Sequence, residues 1–223
     1  MSSRHPIIER CLAGLIPQAD RLSSITPDTW SAWCERRCVV TIGIIGNHPD
    51  GAEALVRALL AIDPTIRRLA IADEIHRHVI GILGIPSDWI VGPENDVPHA
   101  ELGAPGWPDL CGRDLVQACA DEAGNSPLGR GFWMAAWRRA AVCTGATTIV
   151  VPDIRHADEA ALVRRHGSII AMTVQNQVGP GHSLPAHLVD RTFTCPTVAD
   201  VPACGHLAQR LIDIGRASYR LCA

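Results

Sequence analysis

The chain has 223 residues, 47% of them apolar, and a formal net charge of −3. That length suits one domain with room for an insertion, and the apolar fraction is enough for a full core. The slightly acidic balance argues against bulk electrostatic binding to nucleic acid, and no apolar run approaches the roughly 20 residues needed to span a membrane.

Residues 6–22 read as a helix, because Ile7, Ile8, Cys11, Leu12 and Leu15 repeat at helical spacing. A turn at 24–28 and a short amphipathic piece at 30–37 follow. Residues 39–45 form a β-branched run with almost no polar side chain, as expected of a buried parallel strand. A helix is expected over 52–62, a second strand over 67–72 and a helix over 73–83. Residues 84–109 hold five prolines together with Trp89 and Trp107. They read as a long ordered loop or lid-like insertion in a single domain covering 1–223.

Helices are expected at 109–123 and 129–143, and an apolar strand at 147–151. A helix over 156–166 stops at Gly167, placed as a C-cap. Residues 168–174 read as a strand, 176–185 as a Gly/Pro loop, 191–194 as a last short strand and 198–216 as a closing helix. Strands alternating with helices imply an α/β fold with a mainly parallel sheet.

Nine cysteines are many, but their number is odd and their spacing irregular. Cys34 and Cys38 are one residue too far apart for the usual redox or zinc knuckle, and Cys204 with His206 is isolated. No structural metal is expected, since four ligands are needed. Reduced thiols packed as small hydrophobes fit a cytoplasmic protein. Met1 to Pro6 shows no signal-peptide pattern. The paired arginines along the chain read as solvated helix faces and ends.

Three groups of residues could carry chemistry. The first is Gly46-Asn47-His48-Pro49-Asp50-Gly51, between a strand and a helix. Its glycines have the spacing of the phosphate-binding pattern G-x-x-x-x-G-K-[ST], but Ala52 and Glu53 stand where Lys and Ser/Thr belong. A strand, a tight loop and a helix N-terminus make an anion site by geometry, which Asp50 and Glu53 oppose by charge. The second group is Asp153, Arg155 and Glu159. An Asp at the carboxyl end of a buried strand sits where ligands bind in open α/β sheets and can hold magnesium. Arg155 can reach a phosphate, and Glu159, one helical turn on, can orient it. The alternative is a helix cap with a surface ion pair. The third group is Arg113 and Gln117, four apart on one helix face, with Trp133 beyond. Such a pair suits a phosphate and a base edge, or is simply an exposed polar face.

Together these residues resemble the phage-type deoxynucleoside monophosphate kinase family, over about 39–214. Its most specific part is Val151-Pro-Asp-Ile-Arg155, followed by Glu159, Gly167 and an apolar strand. The Arg-x-x-x-Gln helix with its Trp matches Arg113, Gln117 and Trp133, a loop His matches His182, and a late Asp matches Asp190. The resemblance implies a three-layer α/β/α P-loop fold that moves the γ-phosphate of ATP to a dNMP. It implies Gly46, Asn47, His48, Asp50, Gly51, Arg113, Gln117, Trp133, Glu159 and His182 as nucleotide-binding residues. Asp153 and Arg155 would be catalytic, with Asp153 also organising Mg2+.

The departures fall on charge. The family's Lys is Ala52, a hydroxyl beyond it is Ala54, a later Lys is His76 and a post-strand basic residue is Gln175. A Glu after the loop His falls at Pro185, and an Asn near Cys195 is gone. Losing these groups removes most of the charge that stabilises a transferring phosphoryl group. The expectation is therefore an impaired or repurposed nucleotide-binding homologue. The alternative is an active dNMP kinase using Arg57, Arg130 or Arg191 in place of the Lys, with ATP and Mg2+. A non-catalytic protein-interaction module, and a metal-dependent hydrolase on His48, His76, His78 and His182, rank lower. The expected partner is a small nucleotide, with no nucleic acid and no membrane; a homodimer is left open.

Overall fold

In the computed structural model the elements are, in chain order, α1 (Pro6–Leu22), α2 (Pro27–Arg37), β1 (Val40–Gly46), α3 (Pro49–Ile62), β2 (Arg67–Arg68), α4 (Ala72–Leu83), α5 (Asp88–Val91), α6 (Gly112–Asn125), α7 (Gly131–Thr144), β3 (Thr148–Val151), α8 (Ala157–Arg164), β4 (Gly167–Val174), β5 (Arg191–Cys195) and α9 (Gly205–Cys222). The structure describes residues 6–22, 25–47, 49–103, 109–125, 131–175 and 184–222. The chain divides into two compact units, Met1–Ser24 with Ala72–Trp137, and Ile25–Ile71 with Arg138–Ala223.

The second unit contains the sheet. Its five strands are all parallel and lie in the order β2-β3-β1-β4-β5. β1 is central, and its apolar run is buried from Val40 to Ile45 because helices cover both faces. Ile42, Ile44, Val150, Ile170, Met172 and Val174 point to one face, where they meet Leu55 and Leu59 of α3 and Ala208 and Ile212 of α9. The alternate residues point the other way. A Cβ on Gly43 would touch Ile169, Ile154 and Val163 of α8, and Thr41 donates its hydroxyl to the Val163 carbonyl at 2.5 Å. The result is the three-layer α/β/α architecture expected from the sequence.

The first unit is helical. Cys11 of α1, Val79 of α4, Leu115 of α6 and Phe132 of α7 are among its buried residues. His78 donates Nε2–H to the Cys11 carbonyl at 2.8 Å, and burial holds its pKa below the ordinary value. Residues 84–103 form an ordered loop here. It contains α5, stacks Trp89 on His99 at 4.0 Å and buries Leu102. An antiparallel bridge between Pro98 and Cys111 ties the loop to the start of α6.

Several expected boundaries move: the strand expected over 67–72 is only Arg67–Arg68, α2 starts at Pro27 within the turn expected at 24–28, and three further shifts have a local reason. α3 begins at Pro49 rather than 52, since proline is pre-set for the first helical position. The closing helix begins at Gly205, preceded by a 3-10 segment Val198–Cys204. Pro202 lies inside that segment and has no N–H to give an α-helix. Gly167 is not the C-cap of α8, which is Arg165 in right-handed conformation. Gly167 instead opens β4, where a Cβ would stand 1.6 Å from the Thr41 carbonyl oxygen. It is a glycine because two backbones approach, not because the chain turns left-handed. Gly167→Ala should therefore cost about 3 kcal/mol, the upper end for overpacking. Gly81→Ala, with open space around its Cβ and a place in the last turn of α4, should be neutral or stabilise by up to about 0.5–1 kcal/mol. Urea denaturation of the two variants checks this, and equal effects would refute the packing argument.

Candidate functional site

Ligands of open α/β sheets bind at the carboxyl ends of strands whose connections leave in opposite directions. Here that place lies between β1 and β3. From β1 the chain runs through α3 on one face to β2, beyond β3. From β3 it runs through α8 on the other face to β4, beyond β1. Gly46, Asn47 and the start of α3 follow β1, and residues 153–159 follow β3, so the described residues of the two groups singled out in this half of the chain lie at the carboxyl end of the sheet.

The loop itself differs from its expected form. β1 ends at Gly46 and α3 starts at Pro49, so the connection is residues 47–48, not a wrap from 46 to 51. Asn47 explains the tight turn. Its Nδ2 donates to the Val174 carbonyl at 2.9 Å and its Oδ1 accepts from the Val174 N–H at 2.8 Å. Its own N–H donates to the Met172 carbonyl at 3.3 Å. The side chain thus extends the β1–β4 ladder past the end of the strand. Gly51 lies inside the first turn of α3. A Cβ there would stand 3.0 Å from Val174, so it permits close packing of α3 on β4. Neither Gly46 nor Gly51 has a positive φ among the described residues.

The helix register then decides the missing charge. Ala52 and Ala54 face inward, each 4% exposed, in the core with Ile42, Ile44 and Val174. A side chain at position 52 therefore starts from a buried Cβ, where an ammonium group is costly to place. Glu53 points aside and takes the guanidinium of Arg68, just past β2's first residue. Arg68 Nη2 and Nε donate to Glu53 Oε1 at 2.7 and 3.0 Å, and Nε reaches Oε2 at 3.2 Å. Asp50 adds an acidic group in the first turn of α3, where it satisfies the helix dipole that an anion would otherwise meet.

Asp153 and Glu159 are committed to backbone. Asp153 Oδ1 accepts the Ile71 N–H at 2.9 Å, joining the ends of β2 and β3. The Ile154 N–H donates to the Ile44 carbonyl at 3.2 Å, which fixes the same segment to β1. Glu159 accepts from the N–H groups of Arg155 at 2.7 Å and His156 at 3.0 Å. It closes a capping box at the start of α8. Glu159 thus holds the Arg155 backbone, and Arg155 itself is exposed. Burial pushes the Glu159 carboxyl up, and the nearby Asp153 charge adds to that, against the pull of the two N–H donors.

The residues of the first unit are engaged locally. Arg113 pairs with Asp96, and its backbone N–H donates to the Asn95 carbonyl at 2.9 Å. Gln117 donates to Asp121 at 2.9 Å along the exposed face of α6. Trp133 is buried, edge-on to His78 at 5.9 Å and to Phe132 at 4.9 Å. It is a packing residue of its unit. His48, His182 and Arg130 lie outside the described residues.

Among the described residues no group of three or more His, Cys, Asp or Glu could hold a metal ion, and none of the helices is long and apolar enough to cross a membrane. Two features escaped the sequence reading. Arg68 as a partner of Glu53 joins positions fifteen apart and has no periodic signal. Asn47 as a strand clamp looks like any turn asparagine. Comparison with protein-family models, with curated proteins and with solved structures gives no match.

The Glu159 cap yields a pH-dependent expectation. Its folded pKa lies above the ordinary 4.5, so the folded chain holds this proton more tightly than the unfolded chain. Its favourable contribution is full below 4.5 and is lost as pH rises through the raised folded value. Glu159→Gln keeps an acceptor and removes the charge, so its stability relative to wild type should improve across that rise. Glu159→Ala should lose about 1–2 kcal/mol, since the two N–H groups lose their acceptor. Denaturation midpoints at several pH values test this; a constant difference between wild type and the Gln variant would rule out the raised carboxyl.

Proposed function

We propose that the chain is a deoxynucleoside monophosphate kinase-like protein that has lost phosphoryl transfer and persists as a nucleotide-binding homologue. The observation that carries the reading is the inward register of Ala52 at the crevice edge. A phosphoryl-transfer site needs fixed positive charge over the outer phosphates, and the position at which the pattern calls for it belongs to the core. Two of the three candidate substitutes do not supply it either, and the third, Arg130, lies outside the described residues. Arg57 is eight residues into α3, about 12 Å along the helix from its start. Arg191 opens β5, at the amino edge of the sheet, and donates to the Asp190 carbonyl at 2.9 Å.

What supports retained binding is the crevice between β1 and β3, with Arg155 exposed beside Asp153. The chemical class that suits it is a monophosphate carrying little charge beyond what one guanidinium meets. Mg2+ would enter with ATP on Asp153 only in an active enzyme. The reading keeps a small-molecule nucleotide as partner and assigns no role in nucleic-acid binding.

Calorimetric titration should show dNMP binding that weakens at least tenfold in Arg155→Ala, no binding of magnesium–ATP, and no turnover in a coupled assay at high protein concentration. Absence of any dNMP binding sinks the proposal. Ala52→Lys separates history from present use. It should destabilise the fold by about 3 kcal/mol or more, as for an unpaired buried charge, and restore no affinity for ATP.

A second reading has one observation in its favour. The Arg68 guanidinium does reach the first turns of α3, where Glu53 holds it. If Arg68 serves an active kinase, Glu53→Gln should release it and strengthen magnesium–ATP binding. Turnover above background in the same coupled assay would establish that reading over the first.

A further inference from the structure

The sheet-bearing unit holds two cysteines in contact. Cys195 ends β5 and Cys204 ends the 3-10 segment before α9, and their Sγ atoms lie 3.4 Å apart. We infer that Cys195 and Cys204 are a modification site, a dithiol that closes reversibly to a disulfide in the presence of a low-molecular-weight disulfide such as oxidised glutathione.

Both partners are held in place before reaction. The Cys195 carbonyl accepts the Gln175 N–H at 2.9 Å, which keeps the end of β5 on β4. Between the two cysteines, Asp200 accepts from the Thr197 N–H at 3.0 Å and the Thr197 hydroxyl at 2.8 Å, fixing the start of the 3-10 segment. A disulfide needs sulfurs about 2 Å apart, so a small approach suffices. Access differs between the two. Cys195 is 3% exposed, whereas Cys204 is half-buried. Cys204 is therefore where an oxidant enters.

The balance is that of thiol–disulfide exchange. The Cys204 thiolate attacks one sulfur of the oxidant; that S–S bond breaks and one thiol leaves, taking the released proton. The Cys195 thiol then loses its proton and attacks the Cys204 sulfur, and the second small thiol departs. One protein dithiol and one small disulfide become one protein disulfide and two small thiols. Burial, with Cys195 beside it, pushes the Cys204 thiol up to about 11, so the first step is slow at neutral pH. The second is intramolecular between pre-placed groups and is fast by comparison.

The rest of the chain provides internal contrasts. Cys11 and Cys119 also hydrogen-bond to each other, but both are buried almost completely. Cys38 and Cys143 are exposed. They should stop at mixed disulfides with the oxidant.

The test uses the full native chain and oxidised glutathione. Trypsin cuts after Arg191 and Arg210 and leaves both cysteines in the one peptide 192–210. On oxidation this peptide should lose two hydrogens, resist alkylation and recover on reduction, while Cys38 and Cys143 carry glutathione. In Cys195→Ser the glutathione adduct should accumulate on Cys204 instead. The variant Cys195→Ala gives the same readout should the serine fail to fold. If peptide 192–210 keeps two alkylatable thiols while Cys38 is modified, the inference falls. It falls equally if wild type accumulates the Cys204 adduct as the Cys195 variants do.

Discussion

The structure of the sheet-bearing unit depends on one amide. Asn47 meets Val174 with both donor and acceptor, so its side chain stands in for another residue of backbone pairing. A strand-to-helix turn leaves N–H and C=O groups without partners, and those groups must be satisfied if buried. Asn47 does this in one residue, and the chain enters α3 at once. Gly51 then lets the helix settle on β4. The inward placement of Ala52 and Ala54 follows from that early start, because the rotation of a helix about its axis is fixed once its first turn is fixed.

The same constraint sets the electrostatics of the crevice. A helix N-terminus attracts negative charge, and it does not matter to the dipole whether the charge comes from a ligand or from the chain. Here the chain supplies Asp50 in the first turn, and Glu53 turns to Arg68. That ion pair is exposed on both sides and is worth little in stability, below about 1 kcal/mol. Its effect is geometric: it directs the Arg68 guanidinium onto a carboxylate of α3. Asp50, Asp153 and Glu159 therefore lie near the crevice together with the exposed Arg155, while Glu53 is paired with Arg68.

The sequence was most legible where periodicity is strong. The apolar run around Ile42 and Ile44, the strand at Ile149 and the alternation of strands with helices were enough for the α/β layers. Element starts were less legible. Pro49 and Gly51 were read as loop residues because glycine and proline punctuate loops, yet proline is also the natural first residue of a helix and a small residue is what close packing needs. Gly167 was misplaced for the same reason, as a cap instead of a close backbone contact with Thr41. For the candidate site, the strand boundaries put Gly46, Asn47 and Asp153 at the carboxyl ends of β1 and β3. Spacing could not reveal their hydrogen-bond partners, since Ile71 for Asp153 and Val174 for Asn47 are far away in sequence.

Asparagine, aspartate and glutamate at the carboxyl edge of a parallel sheet face two demands. They are the groups that bind metal, ribose and base, and they are also the groups that satisfy the orphan N–H donors of turns and helix starts. In this chain the second demand is met first: Asn47 clamps β4, Asp153 joins β2 to β3, and Glu159 caps α8. A side chain holding a backbone N–H can still offer its other oxygen to a ligand, so such commitments narrow the chemistry without abolishing binding. Ala52 packs in the core, and the carboxylates cannot be removed without unmaking the turns they hold. Asp153 and Glu159 are therefore residues that the fold itself requires, whatever else they do, and Arg155 is the exposed member of that group, its backbone N–H held by Glu159.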